Sequence, residues 1–265
     1  METSLQNALT GTSISQLRYF KTIGSTNDEA LRWIGGGAPD FSIVIADEQT
    51  KGRGRFDRHW VTRPGSSLAF TLILTPNIND PLRIPLYAPL AGIAVQSAVQ
   101  HLLGLDAQIK WPNDVLINRR KFCGILVEAA WHGSDLQGIV MGIGINISPG
   151  SVPEPEFQTF PATYLEEALG RPIDRLELLR EIIRSIDFWR AEVGSPAFMR
   201  HWQEHLAFKG EWVRIEHSVK ASIMGKVTGI DESGRLVLVD AVGTETRVEI
   251  GDVHVRPGTQ SNAGG

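Results

Sequence analysis

Apolar residues along this chain follow two rhythms. Some alternate or run solid over short stretches bounded by turn residues, as strands require; others recur every three or four positions, as helices require. After a polar start, Met1 to Thr12, Gln16–Ile23 reads as a strand that ends in Gly24-Ser25-Thr26-Asn27. Asp28 to about Ile34 reads as a helix closed by Gly35–Gly37. Phe41–Ala46 and Leu68–Leu74 read as strands, separated by a Gly/Arg stretch from Lys51 to Arg58. Leu86–Leu103 has helical spacing, with Gly104 placed as a C-cap. Ile109–Ile117 and Phe122–Trp131 are strand-like runs joined through the basic turn Asn118–Lys121, and His132-Gly133-Ser134-Asp135 turns the chain back into Leu136–Ile147. Residues 148–161, rich in Pro and Ser, read as a loop. Pro172 at a helix start, with Leu176, Leu179, Ile183 and Ile186 on one stripe, predicts a long amphipathic helix, and Pro196–Phe208 predicts another.

Beyond Lys209-Gly210 the texture changes to short strands, Trp212–Glu216, Ser222–Ile230, Arg235–Val239 and Thr246–Ile250, broken by turns such as Asp231–Gly234. That is the rhythm of a small β-barrel. The expected organisation is an α+β unit over residues 1–208, a β module over 209–258 and a disordered tail over 259–265. Composition alters this little. Hydrophobic residues make up 42% of the chain and charged residues 21%, which is ordinary for a globular protein. A net charge of -4 argues against a dedicated nucleic-acid binder. No apolar run reaches the ~18 residues of a membrane span, and the polar start lacks the hydrophobic middle of a signal peptide. One cysteine, Cys123, allows neither an internal disulfide nor a cysteine-based metal site. Cytoplasm is the expected compartment.

Candidate chemistry concentrates in Gln49-Thr50-Lys51-Gly52-Arg53-Gly54-Arg55-Phe56-Asp57-Arg58-His59-Trp60, where Lys51, Arg53, Arg55 and Arg58 crowd together and two glycines allow close backbone approach. Arginine offers a planar fork to carboxylate and phosphate oxygens, so the segment suits a polyphosphate; a solvated loop or an RNA-binding arm remains the alternative. No Walker A loop occurs. Gly142-Ile143-Gly144 lacks the third glycine of a dinucleotide fingerprint and reads as strand interior, where glycines admit a ligand or a second backbone. In Gly24-Ser25-Thr26-Asn27, Thr26 with Glu29 forms a capping-box pattern, yet the same polar groups on a strand-to-helix turn can bond a ureido or amide edge. Lys110-Trp111-Pro112-Asn113-Asp114 is odd for a strand: a bulge there would re-aim Asn113 and Asp114, and the alternative is an edge strand leading into a turn. Lys121 directly precedes an apolar strand, which predicts a partly buried stem. His201-Trp202-Gln203-Glu204-His205 matches a zinc-peptidase pattern, but its helix ends at once and no third ligand is in prospect, so it reads as packing or surface. Cys123 likewise reads as packing, and no Gly-x-Ser-x-Gly elbow is present.

Taken together, in this order and spacing, these segments resemble the biotin–protein ligases, in the form lacking an N-terminal DNA-binding domain. The resemblance rests on Gly24-Ser25-Thr26-Asn27, Gln49 through Arg55, Lys110 through Asp114, Lys121 with Gly124-Ile125-Leu126-Val127-Glu128, and Gly142-Ile143-Gly144-Ile145-Asn146. It implies a mixed-sheet catalytic domain with flanking helices and a C-terminal SH3-like barrel. It also implies ATP with Mg²⁺, biotinyl-5'-AMP as intermediate, and transfer of biotin to a lysine of a biotin carboxyl carrier protein. Ser25, Thr26, Asn27 and Gln49 would line a biotin pocket. Arg53, Gly54 and Arg55 would belong to a loop over the adenylate, and Lys121 would contact the carbonyl and α-phosphate. Trp60, Asn113 and Asn146 would meet the nucleotide, and Asp114 would orient the acceptor amine. The family pattern has glycine where this chain has Asp57, and Ser25 comes too early for a winged helix-turn-helix, which speaks against DNA binding. A lipoyl or octanoyl ligase is the near rival and a biotin-sensing binding protein the distant one; a homodimer is left open.

Overall fold

The computed structural model describes residues 1–55, 58–75, 81–154, 156, 158, 160–217, 222–249 and 253–257. Asp57 and the tail 259–265 lie outside these residues. The described chain runs α1 (Glu2–Leu9), β1 (Gln16–Ile23), α2 (Thr26–Gly35), β2 (Ser42–Gln49), β3 (Ser67–Leu74), α3 (Tyr87–Leu103), β4 (Ala107–Lys110), β5 (Asp114–Ile117), β6 (Arg120–His132) and β7 (Asp135–Asn146). It continues through α4 (Leu165–Leu169), α5 (Arg175–Ala191), α6 (Pro196–Glu204), β8 (Trp212–His217), β9 (Ile223–Ile230), β10 (Leu236–Val239), β11 (Glu245–Val248) and β12 (Val253–Pro257).

A mixed sheet in the order β1-β2-β3-β7-β6-β5-β4 forms the larger unit. Its parallel pair is β1 and β2, joined across the face by α2; β2 through β4 in that order pair antiparallel. Strand β3 is buried at every position because both faces are covered. Leu68, Phe70, Leu72 and Leu74 point into the main core with α3 and α5. On the other face Ile73 packs with Ala30, Trp33, Val44 and Val140 under α2. Helix α3 is apolar almost all round, with Leu90, Ile93, Ala94 and Val95 fully buried, because the sheet lies on one side and α5 on the other. The α2 face is the one that matters for chemistry, since α2 is short and leaves the ends of β3, β7 and β6 uncovered.

Most predicted elements hold, and the departures have local causes. Helix α2 is capped by Ser25, whose hydroxyl accepts the Asp28 N–H, so Thr26 is the first helical residue and not the cap. Helix α5 begins at Arg175 and not at Pro172, because the Asp174 carboxylate accepts the Leu176 and Glu177 N–H groups at 2.8 and 3.2 Å. The run Ile109–Ile117 is two strands, a β4–β5 hairpin turning at Trp111–Asn113. Helix α6 stops at Glu204; the apolar residues beyond it leave helical geometry to bond β4, with Ile109 N–H donating to His205 O and Ala207 N–H to Ile109 O. The polar start contains α1, whose Leu5 and Leu9 are buried against the main core. Residues 148–161, expected as loop, include a short 3-10 turn, Pro149–Ser151.

The C-terminal strands form a five-stranded antiparallel sheet in the order β11-β10-β9-β8-β12, with β12, unanticipated in the sequence, pairing β8. It is seated firmly on the larger unit. The Trp111 indole N–H donates to Gly234 O at 3.0 Å, and Gln203 accepts the Ile230 N–H at 2.9 Å. Gly234 sits at φ +79°, and a Cβ there would lie 2.9 Å from Leu86. Trp111 thus ties the turn that carries Asn113 and Asp114 to the small sheet.

Candidate functional site

One cavity of about 160 Å³ opens on the α2 face. Its lining gathers Ser25, Thr26, Asn27, Gln49, Arg53, Gly54, Arg55, Trp60, Asn113, Asp114, Lys121 and Asn146, the residues to which the resemblance gives site roles, while Lys51 stays exposed outside it. Strand periodicity explains the convergence: on β7 the even positions Gly142, Gly144 and Asn146 face the cavity, and on β6 Gly124 and Leu126 do so, with Glu128 next along the same sheet face.

At one end the groups are polar and neutral. Ser25, Thr26 and Asn27 are 3–4% exposed. The Thr26 N–H donates to Gln49 Oε1 at 2.8 Å, and the Thr71 hydroxyl bridges Thr26 and Asn27. Both hydrogens of the Asn27 amide nitrogen are engaged, on Leu126 O at 3.2 Å and Glu128 Oε2 at 2.8 Å. Asn27 therefore presents an acceptor, Oδ1, to a ligand. The Ser25 oxygen accepts the Asp28 N–H, which leaves its own hydrogen to donate.

The middle is a floor without side chains. Gly124 and Gly144 are register partners, and a Cβ on Gly144 would lie 2.3 Å from the Trp60 ring, one on Gly124 2.8 Å from it. Trp60 arrives on a small flap: Gly54 N–H donates to Arg58 O at 2.7 Å and Trp60 N–H to Gly52 O at 2.9 Å, so the chain doubles back and lays the indole on the glycines. The indole nitrogen lies over Gly144, and its N–H is buried without a hydrogen-bond partner.

The other end is cationic. Lys110, Lys121, Arg55 and Arg58 line it. Asp114 stands between two of them, with Lys110 Nζ at 2.8 Å from Oδ2 and Lys121 Nζ at 2.6 Å from Oδ1. The hairpin turn places Lys110 and Asp114 as neighbours across β4–β5. Two ammonium groups hold the Asp114 carboxyl far below its ordinary range despite its burial. Burial pulls the Lys110 ammonium down from its usual value against the attraction of Asp114. Asn113 donates to Ile125 O at 2.7 Å, and the Arg55 guanidinium lies 3.5 Å from its Oδ1. Asn146 donates to Thr163 O at 3.0 Å.

Some contributors escape the sequence, among them Thr71, Gln158 and Phe160. Thr71 looked like an ordinary strand threonine, and its only signal was alternation with apolar neighbours. Phe160 and Gln158 lay in a stretch read as loop; they reach the wall because Lys121 N–H donates to Pro161 O and Thr163 N–H to Lys121 O. Nothing local announces that pairing. The two histidines of the zinc-like pattern lie elsewhere: His201 bonds Gln96 at 2.8 Å and stacks on His205, and burial pushes its pKa down to about 4. Among the described residues no group of three His, Cys, Asp or Glu is placed to hold a metal. Cys123 is fully buried, and burial pushes its thiol far up.

A model of the biotin/lipoate A/B protein ligase family matches residues 19–146, the span that supplies most of the cavity lining. The chain is 34% identical over 230 residues to the biotin–[acetyl-CoA-carboxylase] ligase of Paracoccus denitrificans, across 83% of this chain and 93% of that protein. The chain belongs to the biotin protein ligase family. It is also 33% identical over 226 residues to the bifunctional ligase/repressor BirA of Bacillus spizizenii, across 84% of this chain and 69% of that one. Among solved structures, the biotin protein ligase from Aquifex aeolicus in complex with biotin and ATP matches with a TM-score of 0.78 at 28% identity, over 92% of this chain and all of that one. The family's mixed sheet followed by a small β-sheet is the architecture described above.

Proposed function

We infer that this chain is an ATP-dependent biotin–protein ligase, forming biotinyl-5'-AMP and passing biotin to a lysine of a biotin carboxyl carrier protein. The observation that carries this is the polarity of the cavity: neutral donors and acceptors at Ser25–Asn27 and Gln49, a glycine floor under Trp60, then the cationic end around Lys121. A ligand with a ureido head, an apolar chain and a terminal carboxylate matches that order.

Adenylation requires the carboxylate to attack the α-phosphorus of ATP while pyrophosphate leaves. Negative charge grows on both fragments, so fixed cations lower the barrier. Lys121 is proposed to meet the joined acyl and phosphoryl oxygens, with Asp114 holding its ammonium in place. Arg55, Trp60, Asn113 and Asn146 are proposed for the nucleotide. Asp114 has both oxygens on lysines and a strongly depressed pKa, so it acts by holding charge and not by accepting the acceptor lysine's proton. Mg²⁺ would neutralise phosphate charge, but the described residues offer it no carboxylate cluster, and Asp114 is already neutralised. The ion is therefore proposed to travel on the ATP phosphates. The catalytic and C-terminal units are proposed to meet near residue 208, and the protein to work in the cytoplasm; no described helix is long and apolar enough to cross a membrane.

Incubation of the protein with biotin, MgATP and a carrier domain is expected to release pyrophosphate and label one lysine. Preference for lipoate over biotin in competition would move the assignment to the neighbouring lipoyl ligases. The acyl-adenylate is a mixed anhydride that water destroys, so the flap bearing Arg55 also serves as a lid. Arg55→Gly is expected to release adenylate about tenfold faster, as loss of roughly 1.4 kcal/mol of contact implies. The measure is labelling of bystander proteins, and wild-type levels of it would count against the lid.

A further inference from the structure

Arg53 sits at the root of the flap, yet its guanidinium is already engaged. It meets Glu128 fork to fork, Nη1 to Oε1 and Nη2 to Oε2 both at 3.0 Å, and Nη2 also donates to Asp28 Oδ1 at 2.6 Å. One cation between two carboxylates offers no net attraction to a further anion such as a substrate carboxylate or phosphate. Glu128 is also engaged on its inner side, where Oε2 accepts from the Asn27 amide at 2.8 Å. Asn27 is 4% exposed and is pinned on its remaining sides by Leu126 O and the Thr71 hydroxyl.

We propose that Glu128 is a positioning residue that couples the acid-binding end of the cavity to the flap, with Arg53 as the flap's tether and not a substrate ligand. The inference rests on the acyl-adenylate reading and deepens it. Glu128 takes one Asn27 N–H, which fixes the amide with its Oδ1 toward the ligand. A ligand N–H on that oxygen polarises the amide and strengthens its bond to Glu128. A better-held carboxylate in turn grips the Arg53 fork, whose two parallel bonds demand one orientation. The coupling is reciprocal: a closed flap fixes Glu128, and Glu128 fixes Asn27. The fork is partly exposed, with side-chain exposures of 40% for Arg53 and 27% for Glu128, so the effect is moderate and screened by salt.

The test is a double-mutant cycle on the biotinyl-adenylate complex, using Glu128→Gln, Arg53→Met and both together, each checked for an unchanged melting transition. Each single variant is expected to speed adenylate release about fivefold, and the pair no more than the worse single. In Glu128→Gln the rate of adenylate formation at saturating biotin and MgATP should fall by less than release rises, whereas a general structural defect would move both alike. Glu128→Asp, which keeps the charge, should recover part of the retention that Glu128→Gln loses. Multiplicative effects in the double variant, or a raised KM for ATP in Arg53→Met alone, would make Arg53 a substrate ligand and overturn the proposal. If the unaltered protein forms no adenylate from biotin and MgATP, the ligase reading itself fails; if it does and Glu128→Gln retains adenylate normally, only the coupling fails.

Discussion

Asp114→Asn is expected to destabilise the protein by about 3–5 kcal/mol, the usual consequence of removing one partner from a buried charge cluster. Lys110 has 8% of its side chain exposed and Lys121 has 24%, and Asp114 is the carboxylate that faces both. The amide keeps the shape and loses the charge, so two ammonium groups are left facing each other in the cavity wall. The same change should lower adenylate formation as much as Lys121→Ala does, roughly 10²–10³-fold, the range seen when one preorganised donor to a developing anion is lost. Urea titration measures the first effect and pyrophosphate release the second.

The pH dependence supplies a sharper check, because its sign is fixed. The folded state holds the Asp114 pKa below its unfolded value of 3.8. Its contribution is therefore complete above that value and is lost as pH falls through it, by about 1.4 kcal/mol per pH unit. The stability gap between the wild type and Asp114→Asn should be flat from pH 7 to about 5 and should shrink below 3.8. A gap that stays constant down to pH 3 would show that the carboxylate's charge is not what holds the two lysines.

Legibility in the sequence tracked how local each determinant is. Strand β1 was readable to the residue because its turn, Gly24-Ser25, follows at once, and Gly104 marked the end of α3 through a left-handed conformation that glycine takes easily. The cap of α2 was misplaced by one residue because Ser25 and Thr26 are equally good cap types, and only backbone geometry separates them. At Trp111–Asn113 apolar residues on both arms suggest one strand, and Pro112 leaves a bulge and a turn equally open; pairing of β4 with β5 decides for the turn. In the site, residue types with an intrinsic anion chemistry stood out, while Thr71 and Phe160 did not, since they enter through strand pairing and a distant loop. What the sequence could not assign was partnership: nothing in Gly-Arg-Gly-Arg says that Arg53 meets Glu128 while Arg55 meets Asn113.

Gly142→Ala is expected to weaken biotin binding by about 1–3 kcal/mol, roughly 5- to 150-fold, with the fold intact. A Cβ there would lie 2.2 Å from Asn27 Oδ1 and 2.9 Å from Asn27 Cγ, so Asn27 must move. It has little freedom to do so, because its amide is bonded to Thr71, Leu126 and Glu128 at once. Two comparisons separate this from a general intolerance of alanine on β7. Gly138→Ala would meet the Ile34 Cδ1 methyl at 3.0 Å, the far end of a flexible side chain, and should leave biotin binding near wild type. Gly144→Ala would press on the Trp60 ring at 2.3 Å, and Trp60 belongs to the flap and not to the acid-binding end. That variant should bind biotin better than Gly142→Ala yet release adenylate faster. Calorimetry of biotin binding and adenylate-release rates across the three variants check the pattern. Biotin binding by Gly142→Ala within about threefold of wild type, less than 1 kcal/mol, would mean that Asn27 is not part of the acid-binding end.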